Sequence, residues 1–360
     1  MNNDHSHDTT NDPAPNHTTP VVAFLGPSGT FTETAMRNFA SRGWCTPPRH
    51  KPAQHTDTAP SITVHDHRII PLPVESPQHA IDAVAHAHAD WACVAIESSV
   101  EGPVTRTYDA LAGTTPLQIY RELILPIEFS ILVRPGTRPD DIRTWSAHPV
   151  AHPQVTSWIT HNLPTATYLA APSNAAAAEM VTLGTTDAAA APAHAAQLYG
   201  LTPLANGVAD IANAQTRFVL ISTPGEPTPH TGDDRTSVVF NARNEPGALA
   251  RALTVVSSHG VDLTRIESRP TRKKLGEYRF SMDMRGHIND PHIAAAMQHL
   301  YTTVQTLRFL GSWPADNNPH TDTTQKSPAH TPATPPDRLS AEQWVAQRAR
   351  GTTPTNDVLW

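Results

Sequence analysis

The chain has 360 residues, 38% of them hydrophobic, and a formal net charge of −7. That length exceeds the usual single core, so two or three domains are expected, and the mild acidity argues against a nucleic-acid partner. No run of about 18 apolar residues occurs, and the N-terminus has neither a basic start nor an apolar stretch, which argues against a membrane span or secretory signal and for a cytoplasmic protein. The two cysteines, Cys45 and Cys93, lack the spacing of a disulfide frame or zinc site. The 21 histidines contain no HExxH-type pair, so no metal is expected.

Residues 1–19 are rich in Thr, Pro, Asn, Asp and His and are expected to be disordered. The run VVAFL at 21–25 predicts a strand that leads into GPSGTFTETA. There Gly26 and Gly29 permit a tight turn, and Thr30 with Glu33 forms a capping box that opens a helix over 32–42. Free N–H groups at that turn would suit an anion, although the pattern is also that of an ordinary strand-to-helix turn. A helix over 77–89 precedes a strand over 92–96, which ends in ESSVEGPV and places Glu97, Ser98 and Ser99 just past a strand end, where α/β clefts gather ligands. A strand over 127–133 follows. AHPVAHPQV at 147–155 then offers His148 and Gln154, and PSNAAAAEM at 172–180 starts a helix over 173–183 with Ser173 as its cap. A further Ala-rich helix is expected over 188–198. The strand over 217–221 begins in TRF, Thr216 to Phe218. A guanidinium at the mouth of a core strand needs solvent, an internal acid such as Asp210, or a bound anion. Taken singly, each of these features admits a plain structural role.

The stretch STPGEPTPHTGDDRT at 222–236 is dense in Pro, Gly and Asp and predicts a linker over 224–234. Beyond it, strand 236–241, helix 247–259, strands 261–269 and 276–284, helix 291–301 and strand 304–310 give βαββαβ, the ferredoxin-like plan, for a domain spanning 235–313. Residues 314–360 are expected to be mostly disordered, with a short helix over 339–350.

Five motifs in order, GPSGTF, IESSVEGPV, AHPVAHPQ, SNAAAA and TRF, resemble those of the prephenate dehydratase family over residues 20–223. PGAL at 246–249 and ESRP at 267–270 resemble the ACT regulatory domain usually fused to it. Three positions depart from the family pattern: Ser98 and Ala214 stand where Asn is usual, and Ala147 where Ser is usual. The resemblance implies an α/β fold in which a two-lobed, type II periplasmic-binding-protein-like catalytic region precedes the ACT domain. The chain would cross between the lobes near 117–123 and again near 205–210.

The implied reaction converts prephenate to phenylpyruvate on the way to phenylalanine, and aromatisation drives it without a cofactor. Thr216 is then the expected partner of the leaving hydroxyl, Arg217 a fork for a substrate carboxylate, and Glu97, if desolvated and partly protonated, a competing acid. Thr30, Ser98, Ser99, Gln154, Ser173 and Phe218 would line the substrate site. L-Phenylalanine would be the effector. Pro246 and Gly247 would open a helix whose N–H groups hold its carboxylate, with Ala248 and Leu249 leaving room for the ring; Glu267, Ser268, Arg269 and Pro270 would form the facing wall. A homodimer or homotetramer is expected. Arogenate is the rival substrate, and a non-catalytic phenylalanine sensor the rival function.

Overall fold

A computed structural model describes residues 19–46, 60–113, 115–271 and 276–316. Strand β1 (Val21–Leu25) leads to helix α1 (Phe31–Ser41), and strands β2 (Ile62–Val64) and β3 (His67–Val74) form a hairpin. Helix α2 (Pro77–Ala85) returns the chain to β4 (Trp91–Ser98); the short β5 (Gly102–Pro103) folds back on its end, and α3 (Thr105–Leu111) leads to β6 (Gln118–Pro126). Next come β7 (Ser130–Val133), β8 (Thr144–Ala147), α4 (Thr156–Asn162), β9 (Thr167–Ala170), α5 (Asn174–Thr182), β10 (Ala188–Ala191), α6 (His194–Tyr199) and β11 (Thr202–Asn206). The chain then returns as β12 (Gln215–Ser222) and ends in β13 (Asp234–Asn241), α7 (Ala248–Ser258), β14 (Leu263–Pro270), β15 (Tyr278–Arg285), α8 (Pro291–Thr303) and β16 (Thr306–Pro314).

These strands build three sheets. The first has the order β2-β3-β1-β4-β12-β6, with β5 on β4; the second is β11-β7-β10-β8-β9; the third is β14-β15-β13-β16. The third sheet is antiparallel throughout and realises the predicted βαββαβ plan. The first two sheets are the lobes, and the fold is the mixed α/β, two-lobed one that the sequence implies. The chain crosses between them at 127–129 and 207–214. The first crossing therefore lies downstream of the expected 117–123. Leu117, Ile119 and Leu123 are buried in the first lobe, and β6 is spent pairing with β12.

The expected helix over 188–198 is also corrected. Ala188 to Ala191 form a central strand between β7 and β8, each fully buried, and Pro192 intervenes before the short α6. Alanine favours helix by intrinsic propensity, but that preference is small beside the tertiary demand for a small side chain between two packed layers. The helix expected over 339–350 lies outside the described residues.

The third sheet has two covered faces. One carries α7 and α8 over Val238, Phe240, Met282 and Met284. The other places Val239, Leu310 and Trp313 in one cluster with Val94, Ile96, Ile119 and Val219 of the first lobe. β16 approaches β6 so closely that a Cβ on Gly311 would stand 2.2 Å from the Ile119 carbonyl oxygen, which only glycine tolerates. The two regions thus share a packed core despite the Pro/Gly-rich segment that joins them.

Candidate active site

Strand β12 lies between β4 and β6, with Thr216 opposite Ser98 and Leu125, and Arg217 opposite Glu97 and Ile124. Successive strand residues point to opposite faces. Phe218, 2% exposed, packs with Phe24, Met36 and Phe39 on the α1 side, and Leu125 joins that cluster, so Thr216 shares that face. Arg217 points the other way, to the third sheet. The Thr216 side chain is half-buried and makes no hydrogen bond among the described residues.

Arg217 was expected to offer its fork to a substrate carboxylate; the fork is occupied. Nη1 donates to Glu122 at 3.2 Å, and Nη2 reaches Asp283 at 2.9 Å and Glu97 at 2.8 Å, with the arginine side chain 7% exposed. Internal acids do hold it, but Asp210 is not among them: its carboxylate accepts the Ser157 N–H at the start of α4. Arg235 adds a contact to Glu122 and Arg265 one to Asp283, so three guanidiniums balance three carboxylates. Such a balanced set tolerates burial, whereas removing one member costs about 3–5 kcal/mol. Burial alone would raise the Asp283 carboxyl, but the guanidiniums of Arg265 and Arg217 outweigh it and hold the group well below the usual carboxylate range.

Glu97 departs from expectation as well. Its side chain is 38% exposed and ion-paired to Arg217, so it is not the desolvated acid the motif suggested. A register shift between Arg217 and Phe218 leaves Ile96 unpaired in β4, and the resulting bulge puts Glu97 on the Arg217 face, away from Thr216.

The remaining predicted residues hold the backbone. Ser99 clips the end of β4 to the residue before Thr216: its N–H donates to the Gln215 carbonyl and its Oγ accepts the Gln215 N–H, both at 2.9 Å. Ser98 Oγ accepts the N–H groups of Val100 and Glu101. Thr30 caps α1 by accepting the Glu33 N–H at 3.2 Å, while the Glu33 carboxylate accepts the Gly29 N–H at 2.6 Å. In the second lobe Ser173 caps α5 through the Ala176 N–H, and Gln154 donates to the Val150 carbonyl and accepts the Asp210 N–H on its own carbonyl. Burial and the nearby Arg106 charge lower the His148 imidazole from its ordinary value, which favours the neutral ring.

The contacts that join the lobes leave no local signature in the sequence. Tyr199 donates its hydroxyl to the Ser28 carbonyl at 2.8 Å, the Phe31 and Phe129 rings meet edge to face at 5.5 Å, and Thr34 Oγ1 lies 3.4 Å from His194 Nε2. Asn174, whose Oδ1 accepts the His148 N–H at 2.9 Å, was also missed. Among the described residues no three His, Cys, Asp or Glu side chains converge as a metal site, and no helix is long and apolar enough to cross a membrane.

In the third sheet Gly247 is the N-cap of α7 with φ +76°, so the helix begins at Ala248, and Pro246 lies before the cap. Arg251 reaches back to the Pro246 carbonyl at 3.1 Å and pairs with Glu245. Leu249 packs against the cluster under α7. The ESRP residues lie on the edge strand β14. Ser268 is opposite Phe280 on the helix face, but Glu267 is opposite Ser281 and Arg269 reaches Asp109 of α3 at 3.3 Å, so these two face the first lobe and not α7. Pro270 ends the strand.

Residues 22–226 match the family model described as prephenate dehydratase, and residues 236–299 that of the ACT domain. A prephenate dehydratase of Corynebacterium glutamicum is 46% identical over 335 residues, 92% of this chain and 97% of its own. One of Mycolicibacterium gilvum is 47% identical over 295 residues, 82% and 91% of the two chains. Among solved structures, a prephenate dehydratase of Arthrobacter aurescens in complex with L-Phe is 38% identical with a TM-score of 0.69, covering 84% of this chain and 94% of that one. With five motifs of the catalytic region placed around two lobes and an ACT fold packed against the first of them, the chain belongs to the prephenate dehydratase family.

Proposed function

We propose that the chain converts prephenate to phenylpyruvate in phenylalanine synthesis, that its catalytic region is residues 20–223, and that residues 235–313, joined through 224–234, bind L-phenylalanine and inhibit it. The reaction consumes one proton and releases carbon dioxide and water. As the ring carboxylate leaves, its electron pair enters the ring, aromatises it and expels the ring hydroxyl, which needs a proton to depart as water. Supplying that proton in place accounts for roughly 10²–10⁴-fold of the rate. Thr216 meets the leaving hydroxyl. Its own pKa is far too high for it to be the proton's source, so it orients the group and relays a proton.

The observation that carries this reading is the uncommitted Thr216 hydroxyl. Among the polar residues the sequence singled out in the catalytic region, Thr30, Glu97, Ser98, Ser99, Gln154, Ser173 and Arg217 all have internal partners, and Thr216 has none among the described residues. With Arg217 turned away, the substrate carboxylates fall to Thr30, Ser98, Ser99, Gln154 and Ser173 and to the N–H groups opening α1 and α5, while Phe218, buried against Phe24 and Phe39, anchors the strand beneath Thr216 and does not meet substrate. The enzyme works as a cytoplasmic homodimer or homotetramer. The effector enters at Pro246, Gly247, Ala248 and Leu249, with Ser268 across from it.

Steady-state formation of phenylpyruvate from prephenate, beside the same assay on arogenate and with and without phenylalanine, tests the whole reading. Turnover of prephenate with inhibition is expected; turnover of arogenate alone, or of neither, overturns it.

A further inference from the structure

The charge that completes the setting of Arg217 comes from the third sheet. Asp283 on β15 is 1% exposed and holds four donors: Arg217 Nη2 at 2.9 Å, Arg265 Nε at 2.9 Å and Nη2 at 3.2 Å, and Ser237 Oγ at 2.7 Å. Arg265 belongs to β14, the strand of the ESRP motif, and its guanidinium also covers the Tyr108 ring of α3 at 4.2 Å. A continuous series of buried contacts therefore runs from β14 through Arg265 and Asp283 to Arg217, the residue after Thr216.

The ladder between β4 and β12 is interrupted at that point. On the β4 side the register shifts between Arg217 and Phe218, where Ile96 of β4 goes unpaired, while on the β6 side the pairing is continuous from Gln215 to Leu220. Bulges break the ladder and change where neighbouring side chains aim. Beside the β4 bulge, Arg217 is the buried anchor of β12, drawn by Glu122 and Asp283 to the face opposite Thr216.

We propose that Asp283 is a positioning residue for the reaction: by fixing Arg217 it sets the aim of the Thr216 hydroxyl, and through Arg265 it links that aim to the effector-binding sheet. The inference rests on the reading of the chain as a phenylalanine-regulated prephenate dehydratase. Asp283 touches neither substrate nor effector. It acts as the shared point that both regions bias, as coupling between sites requires.

The test uses the full chain as wild type, Asp283→Asn and Ser237→Ala, the last removing one hydrogen bond to the same carboxylate while the charges stay balanced. Each is assayed for kcat, KM for prephenate and the phenylalanine concentration giving half-inhibition, with circular dichroism and a melting curve to show folding. In Asp283→Asn, kcat is expected to fall and half-inhibition to shift, each by about 2- to 30-fold, with KM changed by less than about twofold. If Asp283→Asn does not fold, Ser237→Ala decides, with changes in the same direction at the lower end of that range. A folded variant whose kcat and half-inhibition both match wild type overturns the proposal, as does a rise in KM alone, which would place Arg217 on the substrate. Absence of prephenate turnover by the wild type would instead overturn the functional reading, and that arm is read before the variants.

Discussion

Thr216 and Arg217 are consecutive in β12 and face opposite sides of the first sheet, the hydroxyl toward α1 and the guanidinium, 2.9 Å from Asp283, toward the ACT sheet. The two residues therefore fail differently when substituted.

Thr216→Ala should lower kcat by about two decades or more, as loss of proton delivery does, while KM and the melting temperature change little. Steady-state kinetics with a parallel melt checks this. A kcat near wild type would remove Thr216 from the chemistry.

Arg217→Met should instead destabilise the fold by about 3–5 kcal/mol, because Glu122 and Asp283 lose a shared buried cation. Arg217→Lys keeps the charge but not the fork, so its loss should be smaller, with KM near wild type. Denaturant unfolding of both variants gives the order, and a strongly raised KM in the lysine variant would return Arg217 to the substrate.

Acid should act through Asp283. Its folded-state pKa is held below the ordinary carboxyl value of 3.8, so the stability it contributes is present in full above that value and is lost progressively as pH falls below it. Urea midpoints taken from about pH 6 down to about pH 2 should drop more steeply in wild type than in Asp283→Asn, which has no such carboxyl to protonate. Parallel slopes would contradict this.

Gly247→Val should abolish phenylalanine binding by the full chain. Gly247 sits at φ +76°, where a β-branched residue is strained by roughly 1–3 kcal/mol, and a Cβ there would press on Arg251 Nη1 at 3.3 Å. Calorimetry with millimolar phenylalanine is the measurement; wild-type heats in the variant would move the effector site elsewhere.

Ala190→Leu should destabilise by about 1–3 kcal/mol, since its side chain is fully buried in one cluster with Ile131, Trp145 and Val155, where three more carbons overpack the core. A melt that matches wild type would mean the second lobe can reopen its packing.

The sequence by itself determined the family, the βαββαβ plan, the caps at Thr30 and Ser173 and the strand that carries TRF, because each of these is written locally, in apolar periodicity or in a side chain that meets its own backbone three residues on. It misread Ala188–Ala191, where burial between two layers overrode alanine's helical preference. It also misread the partners of Arg217 and Glu97. Which face a strand residue meets depends on bulges and on what packs against that face, and Asp283 lies 66 residues from Arg217 in the chain. Only the tertiary structure brings the ACT sheet against β12 and decides that the guanidinium of TRF belongs to an internal charge network and not to the cleft.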